Sequence, residues 1–160
     1  MRSGYCANCY FLWEKFEFKA MLESVLHRLI PEEVNTFAKL GHREPYHFDR
    51  WKKDRAGSPC LYYWFLARDG VKKNKKRLPV SEIRAAIHQL RTTGALTRDT
   101  FREACPTAES APCSFAVVGR ILEALHVAVY SGLEGFILTD ANKATTLLYV
   151  LPSPSEAPRV

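Results

Sequence analysis

Apolar positions in the second half of the chain recur at helical spacing. Ile83, Ile87 and Leu90 share one helical face, Ser81 stands where a cap is wanted, and Gly94 is the expected stop. Ala95-Leu96 has room for a very short strand. Thr97 then caps a short helix with Phe101 and Ala104 inside, closed by Pro106. After a polar loop at 107–112, Phe115, Val118, Leu122 and Leu125 mark a third helix at spacings of three, four and three. Val127–Tyr130 and Phe136–Thr139 read as strands joined through 131–135. A last apolar run, Thr145–Leu151, follows Asp140.

The first half is less regular. Leu12, Phe16, Leu22, Val25, Leu26 and Leu29 predict a helix, with Lys19 the exception on its face. Pro31-Glu32-Glu33 suits the first turn of a second helix burying Val34, Phe37, Ala38 and Leu40, with Gly41 as its stop. Residues 42–59 alternate weakly and end in Ala-Gly-Ser-Pro, which reads as a loop or irregular arm. Leu61–Leu66 favours a strand, Asp69-Gly70 a turn, and Val71–Leu78 a returning strand. Alternation puts Tyr62, Trp64 and Leu66 on one face of that hairpin and Leu61, Tyr63 and Phe65 on the other. One face must be core, so most of these rings are expected to pack. Tyr46, Phe48 and Trp51 lie among His and Arg and are the expected exposed aromatic contacts.

The predicted fold class is α+β: N-terminal helices at 1–41, a basic arm and β-hairpin at 42–78, a C-terminal three-helix unit with a β-wing at 79–151, and a proline-rich disordered tail at 152–160. No internal repeat is visible.

Charge changes this picture most. Residues 41–77 hold eleven Lys/Arg against four acids, a net +7, whereas the whole chain is +6. Concentrated cations release counterions from a phosphate backbone, so a polyanion is the first partner to consider. The phosphate contacts expected are Arg50, Lys52, Lys53 and Arg55 in the arm, and Lys72, Lys73, Lys75, Lys76 and Arg77 in the hairpin. The bland alternative is a solvated strand edge that lysines protect from pairing with other chains. An apolar share of 47% with 25% charged residues is globular, and no apolar run reaches membrane-spanning length. No secretory signal is seen, and the five cysteines are odd in number. The expected setting is cytoplasmic or nucleoid, or nuclear in a eukaryote, where Lys72–Arg77 also reads as a localisation signal.

Helix, short strand, helix, turn, helix and a two-stranded hairpin is the order over residues 79–151. It is carried by the stretch from Val80 to Phe101, by Gly119–Ala128 and by Gly135–Thr139. In element order and length this resembles the winged-helix fold family. The resemblance implies duplex DNA binding, with the third helix in the major groove and the wing along the backbone. It places Ser114, Arg120 and the 131–135 loop toward the groove. Polar residues on that helix are few (Ser114, Arg120, Glu123, His126), and residues 79–151 carry six cations against seven acids. The basic stretch would therefore supply the affinity.

Other chemistry is thinner. Cys6 and Cys9 form a C-x₂-C knuckle that could bind zinc only with two more ligands, for which His42 and His47 are the candidates. Cys113 opens the third helix, and a nucleophile there would need a base such as His88 or His126. Neither a P-loop nor a Gly-x-Gly-x-x-Gly sequence occurs, so no nucleotide cofactor is expected. The leading expectation is a DNA-binding protein without catalytic residues, in gene regulation or mobile-element biology. One alternative is a protein-interaction module whose basic hairpin holds RNA or an acidic partner. Another is a metal-dependent nuclease using Glu134, Asp140 and Lys143.

Overall fold

The computed structural model describes residues 36–40 and 44–152. The expected helix of residues 12–29 and the tail beyond residue 152 lie outside them.

Two antiparallel sheets and four α-helices make up the described chain. The first sheet contains β1 (Thr36–Phe37), β2 (Tyr46–Lys53), β3 (Pro59–Leu66) and β4 (Lys73–Pro79), in that spatial order. The chain then runs through α1 (Val80–Thr93), β5 (Ala95–Leu96), α2 (Arg98–Ala104), a 3-10 turn at Pro106–Glu109 and α3 (Ser114–Ala124). It ends with β6 (Ala128–Tyr130), β7 (Phe136–Leu138) and α4 (Ala141–Val150). The second sheet has the order β5-β7-β6.

Several sequence expectations hold with their causes visible. Asp69 Oδ1 accepts from the backbone N–H of Val71 (2.9 Å) and Lys72 (3.1 Å), fixing the β3–β4 turn. Thr97 caps α2 through a reciprocal pair with Thr100. Gly94 closes α1 at φ 79°, a conformation that penalises any side chain.

Three expectations are corrected, and one run left unassigned by the sequence is placed. Thr36 and Phe37 are not helical; they pair with His47 and Tyr46 as β1, because a long-range strand partner outweighs local helical spacing. The arm at 42–59 is largely β2, an eight-residue strand. Its alternation looked weak because the register with β3 slips between Phe48 and Arg50, leaving Asp49 without an opposite residue. Ser81 is not the cap of α1: β4 runs directly into that helix through Pro79, and no side chain caps it. The last apolar run belongs to α4, whose N-terminus is capped by Asp140 accepting from Lys143 N–H at 2.9 Å.

One continuous apolar core joins both sheets. Phe37, Tyr46, Leu61, Tyr63 and Leu78 from the first sheet meet Ile83, Ile87, Phe115, Val117, Leu122 and Phe136. Each fully buried Leu, Ile, Val or Phe contributes about 1.5–3 kcal/mol over an exposed one, so this cluster unites the two halves energetically. Helix α3 lies within it, packed against β1 and β6. No helix among the described residues is long and apolar enough to cross a membrane.

Candidate functional site

Strand alternation sorts the first sheet into a core face and an outer face. Toward the core point Tyr46, Phe48 and Trp51 of β2, Leu61, Tyr63 and Phe65 of β3, and Leu78 of β4. The unpaired Asp49 resets the parity of β2, so His47, Arg50 and Lys52 share the opposite face with Tyr62, Trp64 and Leu66. From β4 that outer face receives Lys73, Lys75 and Arg77, all exposed. Direct register makes rows across the three strands: Arg50–Tyr62–Arg77 and His47–Trp64–Lys75.

Tyr46, Phe48 and Trp51 are thus not exposed contacts. They pack on the core, and Tyr46 meets Tyr63 and Phe65 edge to face at 6.0 and 5.5 Å. The aromatics that reach the outer face are Tyr62 and Trp64, both half-buried. His47 lies parallel to the Trp64 indole, with centroids 4.0 Å apart and planes 10° from parallel. The Lys73 ammonium stands 4.4 Å from the centre of the same ring. Sequence reasoning found the cations and the alternation of β3. It missed the His47–Trp64 stack, whose only sequence signal was a second aromatic ring in a strand disguised by the bulge.

The remaining predicted cations are dispersed. Arg55 is exposed in the β2–β3 turn, where Asp54 Oδ1 accepts from Ala56 and Ser58 N–H at 2.9 Å each. Lys53 ends β2 and Lys72 precedes β4, both exposed. Lys76 belongs to the core side and donates from Nζ to the Ser110 carbonyl over 3.1 Å, tying β4 to the loop before α3. Two acids reach the basic face: Asp49 is 3.1 Å from Arg50 Nε, and Asp54 is 4.0 Å from Arg77. Both Arg50 and Arg77 keep more than half of their side-chain surface exposed, so such pairs hold them weakly.

Neither residue of α3 expected to face a groove is available to one. Ser114 is fully buried, its hydroxyl donating to the Ala111 carbonyl at 2.6 Å. Arg120 donates from Nε to the Ala38 carbonyl at 3.1 Å and from its terminal nitrogen to Glu123. Eight of its eleven residues are buried, with β1 and β6 packed on the helix and the Phe136 ring against Gly119. It has no free polar face with which to read bases.

An open cleft of about 590 Å³ lies at the β3–β4 turn end of the sheet, lined by Lys39, Glu44, Phe65, Arg68 and Asn74 among others. The Lys39 ammonium sits 5.0 Å from the Tyr46 ring and 5.2 Å from that of Phe65.

The thiols and carboxylates considered for chemistry have structural surroundings. Burial pushes the Cys60 thiol up to about 11, with Asp54 adding to the effect. Burial, then Glu82, pushes Cys105 up to about 12. Cys113 Sγ is 3.1 Å from the Tyr63 hydroxyl, whose own pKa is raised by burial first and by Cys113 second. Asp140 is engaged as a helix cap, and Glu134 is exposed in the β6–β7 loop. Cys6, Cys9 and His42 lie outside the described residues, and His47 is the ring stacked on Trp64. Among the described residues, no three His, Cys, Asp or Glu side chains gather as a metal site.

No family model, no curated protein and no solved structure matches the chain.

Proposed function

We propose that this protein binds nucleic acid through the outer face of its first sheet, with the C-terminal unit as a winged-helix-type scaffold beneath it. The observation that carries the reading is the outer face itself: Arg50, Lys52, Lys73, Lys75 and Arg77 flank Tyr62 and Trp64 across adjoining strands. Cations held in register at strand spacing suit a repeating phosphate backbone, and each neutralised phosphate releases counterion. The scaffold reading is supported by the β5-β7-β6 order, in which the strand between the first two helices pairs with the second strand of the wing. Because Ser114 is buried and Arg120 is engaged, base reading by α3 forms no part of the proposal.

The test is fluorescence anisotropy with labelled DNA and RNA oligonucleotides across a salt series. Affinity should fall steeply with salt. Lys73→Ala/Lys75→Ala/Arg77→Ala should weaken binding to every oligonucleotide and reduce the log–log salt slope by about 2–3, roughly one unit per lost phosphate contact. Unchanged affinity and slope in that triple variant would refute the phosphate role.

A second reading has its own support. Leu133 at the tip of the β6–β7 loop is wholly exposed, as is most of Tyr149 on α4. A contiguous exposed apolar patch marks a protein-docking surface, and these two side chains are the candidates for one on the C-terminal unit. Under that reading Leu133→Ser and Tyr149→Ser would abolish partner binding and leave oligonucleotide affinity intact.

A further inference from the structure

We propose that the nucleic acid taken by this face is single-stranded, with an unpaired base stacking on Trp64 where the Lys73 ammonium now rests. The inference depends on the nucleic-acid reading above and narrows it.

Trp64 lies on β3, between the strand that supplies His47 and the strand that supplies Lys73. The two partners approach from opposite sides, so each covers one face of the indole. On the His47 side the stack is already a planar aromatic pair of the kind a nucleobase makes. On the other side stands the ammonium of Lys73, an exposed residue. Stacking of a base on indole is worth more than an exposed ammonium over the same ring. A base can therefore displace Lys73, and the released ammonium is then free to pair with that nucleotide's phosphate. The exchange loses one weak contact and gains two.

The width of the sheet argues in the same direction. A major groove admits an α-helix or a two-stranded ribbon. Here the cations and rings spread over β2, β3 and β4, with core on the other side, so paired bases stay out of reach of Trp64. Side chains on one face of a strand recur about every 6.7 Å, which gives an extended single strand one row per nucleotide. Tyr62, between Arg50 and Arg77, is the ring of the adjacent row.

The experiment compares oligo(dT), oligo(U) and a duplex of equal length by anisotropy at fixed salt, using the whole chain. Single strands should bind at least about tenfold tighter than duplex, and Trp64→Leu should cost about tenfold in single-strand affinity with the salt slope unchanged. Trp64→Phe should restore most of the loss. On the unmodified protein, an oligonucleotide carrying 2-aminopurine should be quenched on binding, a readout that does not depend on any variant folding. The two single-strand arms decide between DNA and RNA as the source of the base. Equal affinity for duplex, or no 2-aminopurine quenching, overturns the stacking site, and retention of a salt slope sensitive to Lys73→Ala/Lys75→Ala would leave the phosphate face standing. Absence of any salt-dependent binding overturns both.

Discussion

Arg120 and Ala38 meet across 82 positions of sequence, the guanidinium Nε donating to the backbone carbonyl at 3.1 Å. The same guanidinium binds Glu123 and lies 5.6 Å from the centre of the Tyr130 ring, while the other Glu123 oxygen accepts from Tyr130 N–H at 2.8 Å. One cation thus ties the segment after β1 to α3 and β6. Arg120→Ala should lower stability by about 1–3 kcal/mol, since it leaves Glu123 part-buried without its charged partner. Urea denaturation measures this, and oligonucleotide affinity of the folded variant should match that of the parent.

Gly119 and Phe136 make a second tight relationship. A Cβ built on Gly119 would overlap the outer end of the Phe136 ring (Cε1, Cζ and Cε2), which packs against the bare helix backbone and also meets Phe115 at 5.3 Å. Gly119→Ala gains helix propensity of about 1 kcal/mol but must displace a fully buried ring. The net should be a loss of about 2 kcal/mol, visible as a lower Tm. A neutral or stabilising result would mean that β7 can retreat from α3 without cost.

His126 turns the chain out of α3 at φ 57°, a left-handed conformation. Its N–H donates to Glu123 O and the Val127 N–H to Leu122 O, each at 2.9 Å, the pattern of a helix stop that favours glycine. Because the side chain is exposed and strained there, His126→Gly should raise stability by about 1 kcal/mol. Thermal melting at matched pH checks the sign.

The buried thiols make alkali destabilising. Cys60 and Cys105 ionise at about 11 and about 12 in the fold, against 9.0 ordinarily. Above pH 9 the unfolded chain therefore releases protons that the native chain keeps. Stability should be unaffected by these groups below pH 9 and should fall as pH rises toward 11, by up to about 1.4 kcal/mol per pH unit for each thiol. Denaturation midpoints at pH 8, 9 and 10 measure the trend. Peptide-resolved alkylation at pH 8 should leave both cysteines unmodified until denaturant is added.

Legibility in the sequence followed how local the cause was. Helices α1 and α3 announced themselves because Ile83, Ile87 and Leu90, and Phe115, Val118 and Leu122, lie on buried faces within single segments. The β3–β4 turn needed only Asp69 and Gly70. By contrast, β1 exists through pairing with Tyr46 and His47, which no pattern within Thr36–Phe37 could announce. The run Thr145–Leu151 was too short for apolar content alone to separate strand from helix, although Asp140 in front of it was the capping signal. For the site, composition revealed the cations, but which of them share a face required register. Lys76 shows the limit: it reads as one of the basic run yet serves the core side. The burial of Ser114 could not be read either, because α3 lies inside a core that other elements assemble, β1 and β6 among them.

Asp49 has no residue opposite it, and that single surplus position gives the sheet its polarity. Were Asp49 paired in regular alternation instead of skipped, Trp51 would be turned toward solvent and Arg50 and Lys52 toward the apolar interior. Excising Asp49 would therefore leave every other side chain of β2 on its present face, whereas drawing it into the ladder would exchange the two faces from Arg50 onward. What counts at Asp49 is that the ladder passes it by, more than which side chain stands there.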